Sequence, residues 1–192
     1  MKYRMDRRIK RLQHKAERVY NGYVLNRTDK DVNDAEEDRL WLDQFANGNG
    51  FDICCGDFLI GGEDQAAGID GDARWVGVDK ICEGDELAFQ KHEELDFVVT
   101  NYLEGMPYPL KALNEWWRVL KPEGVLAMIC RDANKYSSKY PQGALGNGSR
   151  QNTYTAVTLS HYLYRAGFTN VKIEETDGLT LRAYAEKGVR AA

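Results

Sequence analysis

Two rhythms of hydrophobic and polar positions alternate along this chain. Short apolar runs of strand length stand at Phe51–Cys54, Ala66–Asp70, Trp75–Ile81, Asp96–Thr100 and Val125–Cys130. Between and after them come segments stepped at helical spacing. Pro107 and Pro109 open one such helix at its first turn, and Leu110, Leu113, Trp117 and Leu120 line one face of it. Lys121-Pro122-Glu123-Gly124 reads as a turn into the next strand. Residues 131 to 153, with Pro141, Gly143, Gly146 and Gly148 among them and polar Ser149 beside them, read as a long loop. Leu159, Tyr162, Leu163 and Ala166 then mark a helix that Gly167 closes. Val171–Glu174 and Leu179–Ala185 read as strands joined through Thr176-Asp177-Gly178, a hairpin signal.

The amino-terminal part is helical in pattern. Met5, Ile9, Leu12, Ala16 and Val19 form a narrow stripe over residues 3 to 21, and Asn21-Gly22 ends it. A polar linker follows at 27 to 34. A second helix starts near Asp34, with Glu36, Glu37 and Asp38 at its positive end and Trp41, Leu42 and Phe45 on its apolar face. Asn47-Gly48-Asn49-Gly50 stops it. Alternating strands and helices imply a mostly parallel sheet covered by helices, with the closing hairpin as an antiparallel addition. The expected organisation is a basic helix and linker over 1–33 and an α/β domain over 34–192.

Composition narrows the class. At 192 residues with 43% hydrophobic and 29% charged residues, the chain is an ordinary globular one, and no apolar run has the length of a membrane span. The basic start lacks the apolar segment of a signal peptide. A net charge of −4 argues against a protein that coats nucleic acid. The first helix, however, carries Lys2, Arg4, Arg7, Arg8, Lys10, Arg11, Lys15 and Arg18. It reads as a solvated or subunit-docking face, which would allow a homo-oligomer, or as a nucleic-acid arm. Cys54, Cys55, Cys82 and Cys130 make no CxxC pair and lie far from His14, His92 and His161, so no metal site is expected. Cysteines in apolar strands suit a reducing, cytoplasmic setting.

The chemistry gathers at Phe51–Phe58, FDICCGDF. Asp52 is an acid inside a buried strand, which is costly without partners. A parallel strand opening at its carboxyl end into a glycine turn is also where open α/β sheets bind nucleotides. A buried aspartate satisfied by loop N–H groups and a ligand-organising aspartate are both consistent with this stretch.

Residues Asp96 to Gly124, DFVVTNYLEGMPYPLKALNEWWRVLKPEG, supply a longer pattern. An Asp-led strand, Leu-Glu, and a helix ending in Arg118, Val119, Leu120, Lys121, Pro122 and Gly124 resemble the class I S-adenosylmethionine-dependent methyltransferases. FDICCG resembles their first cofactor motif. AGFTNVKIEE and LTLRAYAEK resemble their last helix and hairpin. The likeness covers roughly residues 34 to 187. Cys54, Gly56 and Phe58 stand where the family has three glycines, and Gly105 where it often has histidine. The helices flanking the family's second strand are missing.

The resemblance implies a Rossmann-like sheet, S-adenosyl-L-methionine as cofactor, and transferase activity on a small or sugar-like acceptor. It implies that Gly56, with Cys54, lets the backbone approach the cofactor, and that Asp52 orders this loop and its ammonium end. A carboxylate should accept both ribose hydroxyls; spacing from the glycine turn favours Asp70, and Asp79 in WVGVDK is the alternative. Asp85 in GDELAF matches the position that meets the adenine amino group. Thr100 and Asn101 would flank the methionine portion. Methyl transfer needs no strong base; Asn101, Tyr102, Asp132 and His161 are the available groups. The 131–154 loop, with Tyr136, Tyr140 and Arg150, is the expected acceptor lid. Competing readings are a non-catalytic protein that binds the cofactor or a partner through this fold, and an RNA methyltransferase using the basic helix. A nicotinamide enzyme would need GxGxxG after the first strand. An amine-methylating DNA enzyme would carry Asp/Asn-Pro-Pro-Tyr/Phe where TNYLE stands.

Overall fold

Strand β3, Leu95–Thr100, is buried on both faces at the middle of a six-stranded sheet. The computed structural model describes residues 37–53, 85–101, 103–139 and 152–188, and the backbone of 66–69. The basic helix and linker over 1–33 lie outside these residues. From Asp38 onward the described residues belong to one unit. Its elements are helical residues 37–43 (α1), β1 (Gly50–Ile53), β2 (Ala66–Ile69), β3, a short turn of 3₁₀ helix at Leu103–Gly105, α2 (Pro109–Val119), β4 (Leu120–Arg131), α3 (Ala133–Lys139), α4 (Ala156–Ala166), β5 (Phe168–Glu175) and β6 (Thr180–Lys187).

The strands lie in the order β2-β1-β3-β4-β6-β5. The first four are parallel, and β6 runs antiparallel to both β4 and β5. The expected mostly parallel sheet with a carboxyl-terminal antiparallel hairpin is therefore present. Parallel strands need covered faces, and side chains alternate between the two. On one face Leu95 and Val98 of β3, with Leu126, Met128 and Cys130 of β4, join Leu113, Trp116 and Val119 of α2 and Leu159 and Leu163 of α4. On the other, Phe97, Val99, Ala127 and Ile129 meet Leu42 and Ala46, with Trp41 and Phe45 packed alongside.

Three local readings need correction. Helix α2 buries Pro109, Ala112, Leu113, Trp116 and Val119, so its core face is turned toward Trp116. Trp117 is only partly buried; its indole N–H donates to Gly167 O at 3.1 Å, and the Lys187 ammonium lies 4.1 Å from the ring centre. Of two adjacent tryptophans only one can face the sheet, and spacing alone does not choose. Second, Lys121–Gly124 does not separate the helix from the strand: β4 runs unbroken from Leu120. Two steps along β3, Leu95 to Phe97, answer five along β4, Leu120 to Val125, and Glu123 takes a φ of 65° in the bulge. Third, the first part of the expected 131–153 loop is helix α3. Its Asp132 carboxylate accepts the Asn134 N–H at 2.9 Å, as an N-cap does.

Asp38 lies in α1 and faces the sheet. It is buried, accepting from Arg182 Nε at 2.9 Å and Thr180 Oγ1 at 3.0 Å, and so fastens α1 to β6. Helix α4 begins with a reciprocal cap between Thr155 and Thr158 and ends at Gly167, whose φ of 98° suits glycine. Tyr154, just before it, is buried in the core with its ring edge-on to Tyr162. The Tyr154 hydroxyl has no hydrogen-bond partner among the described residues. Burial first, then Cys130, Tyr162 and Glu104 nearby, pushes its ionisation far above the ordinary value.

Two outcomes follow from this packing. A methyl group added at Gly50 would stand 2.5 Å from the Phe97 carbonyl oxygen and 2.6 Å from its ring, where β1 and β3 approach. Gly50→Ala should cost about 1–3 kcal/mol in urea unfolding, and a loss under about 0.5 kcal/mol would contradict this contact. Tyr154→Phe removes an unsatisfied hydroxyl and should leave stability at pH 7 unchanged or raised. The native state holds the Tyr154 proton above pH 10 while the unfolded chain releases it. Stability should therefore fall as pH rises past about 10, by up to about 1.4 kcal/mol per pH unit from this group. Tyr154→Phe should flatten that fall; an unchanged alkaline slope would contradict the assignment.

Candidate active site at the sheet crest

Register brings the carboxyl ends of β1, β2 and β3 level, while β4 runs three residues further, to Arg131. Ile53 of β1 pairs with Ile69 of β2 and with Thr100 of β3, and Thr100 pairs with Met128 of β4. The chain leaves β1 toward β2 on one side, while β3 lies on the other. Such a reversal of strand order marks the usual binding place of open α/β sheets.

Three of the described candidates, Asp52, Thr100 and Asn101, stand at these strand ends. Asp52 is buried within β1, one residue below its end. Thr100 is fully buried at the end of β3, and Asn101, next in the chain, is exposed. Cys54, Gly56, Asp70, Asp79 and Tyr102 lie outside the described residues, as do Phe58, Tyr140 and Arg150. In sequence, Cys54 follows the last residue of β1 and Asp70 the last residue of β2.

Asp85 is buried, with the Lys111 ammonium 3.4 Å from its Oδ2. Lys111 also reaches Glu86 Oε2 at 3.3 Å, and Glu86 first, with Asp85 adding to it, raises the lysine's ionisation. A groove of about 750 Å³ runs here between the segment after Asp85 and α2, with His92, Asn114 and Arg118 along it. The Arg118 guanidinium holds the Glu115 carboxyl below its ordinary value.

A second, smaller recess lies beyond the ends of β3 and β4. Glu104, Arg131, Tyr136, Ser137 and Asn152 line it. Glu104 is buried, and the Arg131 guanidinium lies 5.3 Å from the Tyr136 ring centre. Asn152 donates its backbone N–H to Glu104 O at 3.0 Å and its Nδ2 to Met106 O at 2.6 Å. The segment returning from the expected lid is thereby tied to the turn after β3. Asp132 sits beside the recess as the cap of α3, and His161 is exposed on α4. Sequence reasoning passed over Glu104 and Asn152. The available signal was Glu104 itself, an acid in the turn just after a buried strand; Asn152 gave none, because its partners are main-chain atoms.

A family profile described as a methyltransferase domain matches residues 65–128. No curated protein sequence matches the chain significantly. Among solved structures, an S-adenosylmethionine-dependent methyltransferase of Archaeoglobus fulgidus superposes with a TM-score of 0.65 at 16% identity, over 79% of this chain and 92% of that one. One from Thermotoga maritima gives 0.62 at 16% identity, over 82% and 96%. A Burkholderia thailandensis 1,6-didemethyltoxoflavin-N1-methyltransferase, solved with its substrate and S-adenosylhomocysteine, gives 0.58 at 15% identity over 83% and 82%. Residues 65–128 thus match a methyltransferase-domain profile, and the sheet has the Rossmann-like fold of S-adenosylmethionine-dependent methyltransferases.

Proposed function

We propose that the chain is an active S-adenosylmethionine-dependent methyltransferase acting in line on a small-molecule acceptor. The observation that carries this reading is the level row of the ends of β1, β2 and β3, with Thr100 and Asn101 at it. The described groups suit the ligand. Asp52, Asp85 and Thr100 offer buried acceptor oxygens, and Asn101 offers donor and acceptor together. An ammonium, a ribose diol and an exocyclic amine are donors that such groups recognise.

In this reading the turn at Cys54 and Gly56 lies under the cofactor, and Asp52 orders it. Asp70 accepts from the ribose hydroxyls. Its place directly after β2 supports it over Asp79. Asp85 accepts from the adenine amino group, and Thr100 and Asn101 border the methionine end. Bound S-adenosylmethionine supplies a methyl group already activated by a positive sulfur. What remains for the protein is orientation and exclusion of water, and orientation alone is worth roughly 7–11 kcal/mol. The recess of Glu104, Arg131, Tyr136 and Asn152 has room for about 10 Å³, that of one water, and is not assigned to the acceptor. Asp132 serves as the cap of α3, so it is not assigned a proton-transfer role; Asn101 and Tyr102 remain the polar groups next to the reacting end.

Calorimetry with S-adenosylhomocysteine tests the cofactor part. The chain should bind it, Asp70→Ala should weaken binding at least about tenfold by removing charge-assisted hydrogen bonds, and Asp79→Ala should not. The reverse pattern would move the ribose contact to Asp79. Absence of heat at millimolar ligand would contradict the whole reading.

A further inference from the structure

Residues 85–90, which begin at Asp85, form no helix or strand of their own. Three of their main-chain groups end on two side chains of α2. Leu87 donates its N–H to Glu115 Oε1 at 2.9 Å. Its carbonyl accepts from Arg118 Nη2 at 2.9 Å, and the Gln90 carbonyl accepts from Arg118 Nη1 at 2.9 Å. The two side chains are locked to each other, Arg118 Nε to Glu115 Oε2 at 2.8 Å and Nη2 to Oε1 at 2.7 Å. Both are about four-fifths buried, and the Leu87 side chain is fully buried beneath them.

The planar guanidinium suits this arrangement. It presents donors in a fixed fork, so one residue can grip a carboxylate and two carbonyls at once, which a lysine cannot do. The clamp closes two residues after Asp85. On the other side of Asp85 stands the half-exposed Lys111, 3.4 Å from Oδ2 and shared with Glu86 at 3.3 Å. Left to Lys111, the carboxylate would follow the ammonium. Held from Leu87, it keeps one orientation.

We propose that the Glu115–Arg118 pair is a positioning device: by pinning Leu87 and Gln90 it aims the Asp85 carboxylate and so sets selectivity for the amino group of adenine. This rests on the cofactor reading above. Arg118 and Glu115 touch no ligand in this scheme and act only through the loop.

The test measures affinity by calorimetry for S-adenosylhomocysteine and for its 6-deamino analogue, which carries purine in place of adenine. The parent chain should prefer the adenine form by about tenfold or more, as expected for a hydrogen bond to a charged group. Arg118→Lys and Glu115→Gln should reduce that preference to within about threefold, while affinity for the deamino analogue stays near the parent's. Asp85→Asn should do the same. Thermal melting identifies any variant that fails to fold, and Glu115→Gln, the milder change, keeps the test open if Arg118→Lys does. Equal weakening of both ligands, or an unchanged preference in folded variants, overturns the inference alone. A parent chain that binds both ligands equally overturns it together with the Asp85 assignment but leaves the cofactor site. A parent chain that binds neither overturns the cofactor reading and this inference with it.

Discussion

The pairing of β3 with β1 on one side and β4 on the other is the constraint from which the rest follows. Every residue of β3 except Asp96 is buried, and its alternating side chains feed both cores. A slip of one residue would exchange Phe97 and Val99 with Val98 and Thr100 and ruin both layers at once. Register is therefore held tightly, and with it the level of the strand ends. Thr100 can only lie beside Ile53 and Met128 because Phe97 lies beside Gly50 and Val125. The tight approach at Gly50 is one cost of that arrangement.

The helices do more than cover the sheet. Helix α2 buries Trp116 on its inner face and turns Glu115 and Arg118 toward residues 87–90, so the same element supports the core and shapes the groove beside Asp85. On its far flank Trp117 meets Gly167 and Lys187, and Lys187 in turn donates to Leu120 O at 2.7 Å. A buried ammonium needs such partners, and here the ring face, a carbonyl and Glu93 supply them. The antiparallel hairpin is thereby fixed to the parallel half of the sheet at its base, well away from the crest.

Much of this was legible in the chain. The apolar run of β3, the Pro-opened α2 and the Gly167 stop are local signals, and local physics decides them. The run from Asp96 to Gly124 carries the family likeness because it contains both a central strand and the helix packed on it. What was not legible depended on long-range partners. Trp116 and Trp117 are equivalent in composition, and only the position of the sheet decides which is inside. Asp38 resembles any acid at a helix start until Arg182 and Thr180 approach from the other end of the sequence. Helix α3 was hidden by its polar sequence, ANKYSSK, which has no apolar stripe to announce it. At the crest, strand ends could be read, but the recess at Glu104 and Asn152 required knowing that residue 152 returns to the turn after β3.

The central claim is that the row of strand ends is a seat for an adenosyl group. A crystal structure determined with S-adenosylhomocysteine tests it most directly. The account predicts the ligand across the ends of β1 and β3, its ribose on the acid that follows β2 and its adenine at Asp85. Density for the ligand elsewhere, or a crest filled by the Phe58 ring in its place, would contradict it.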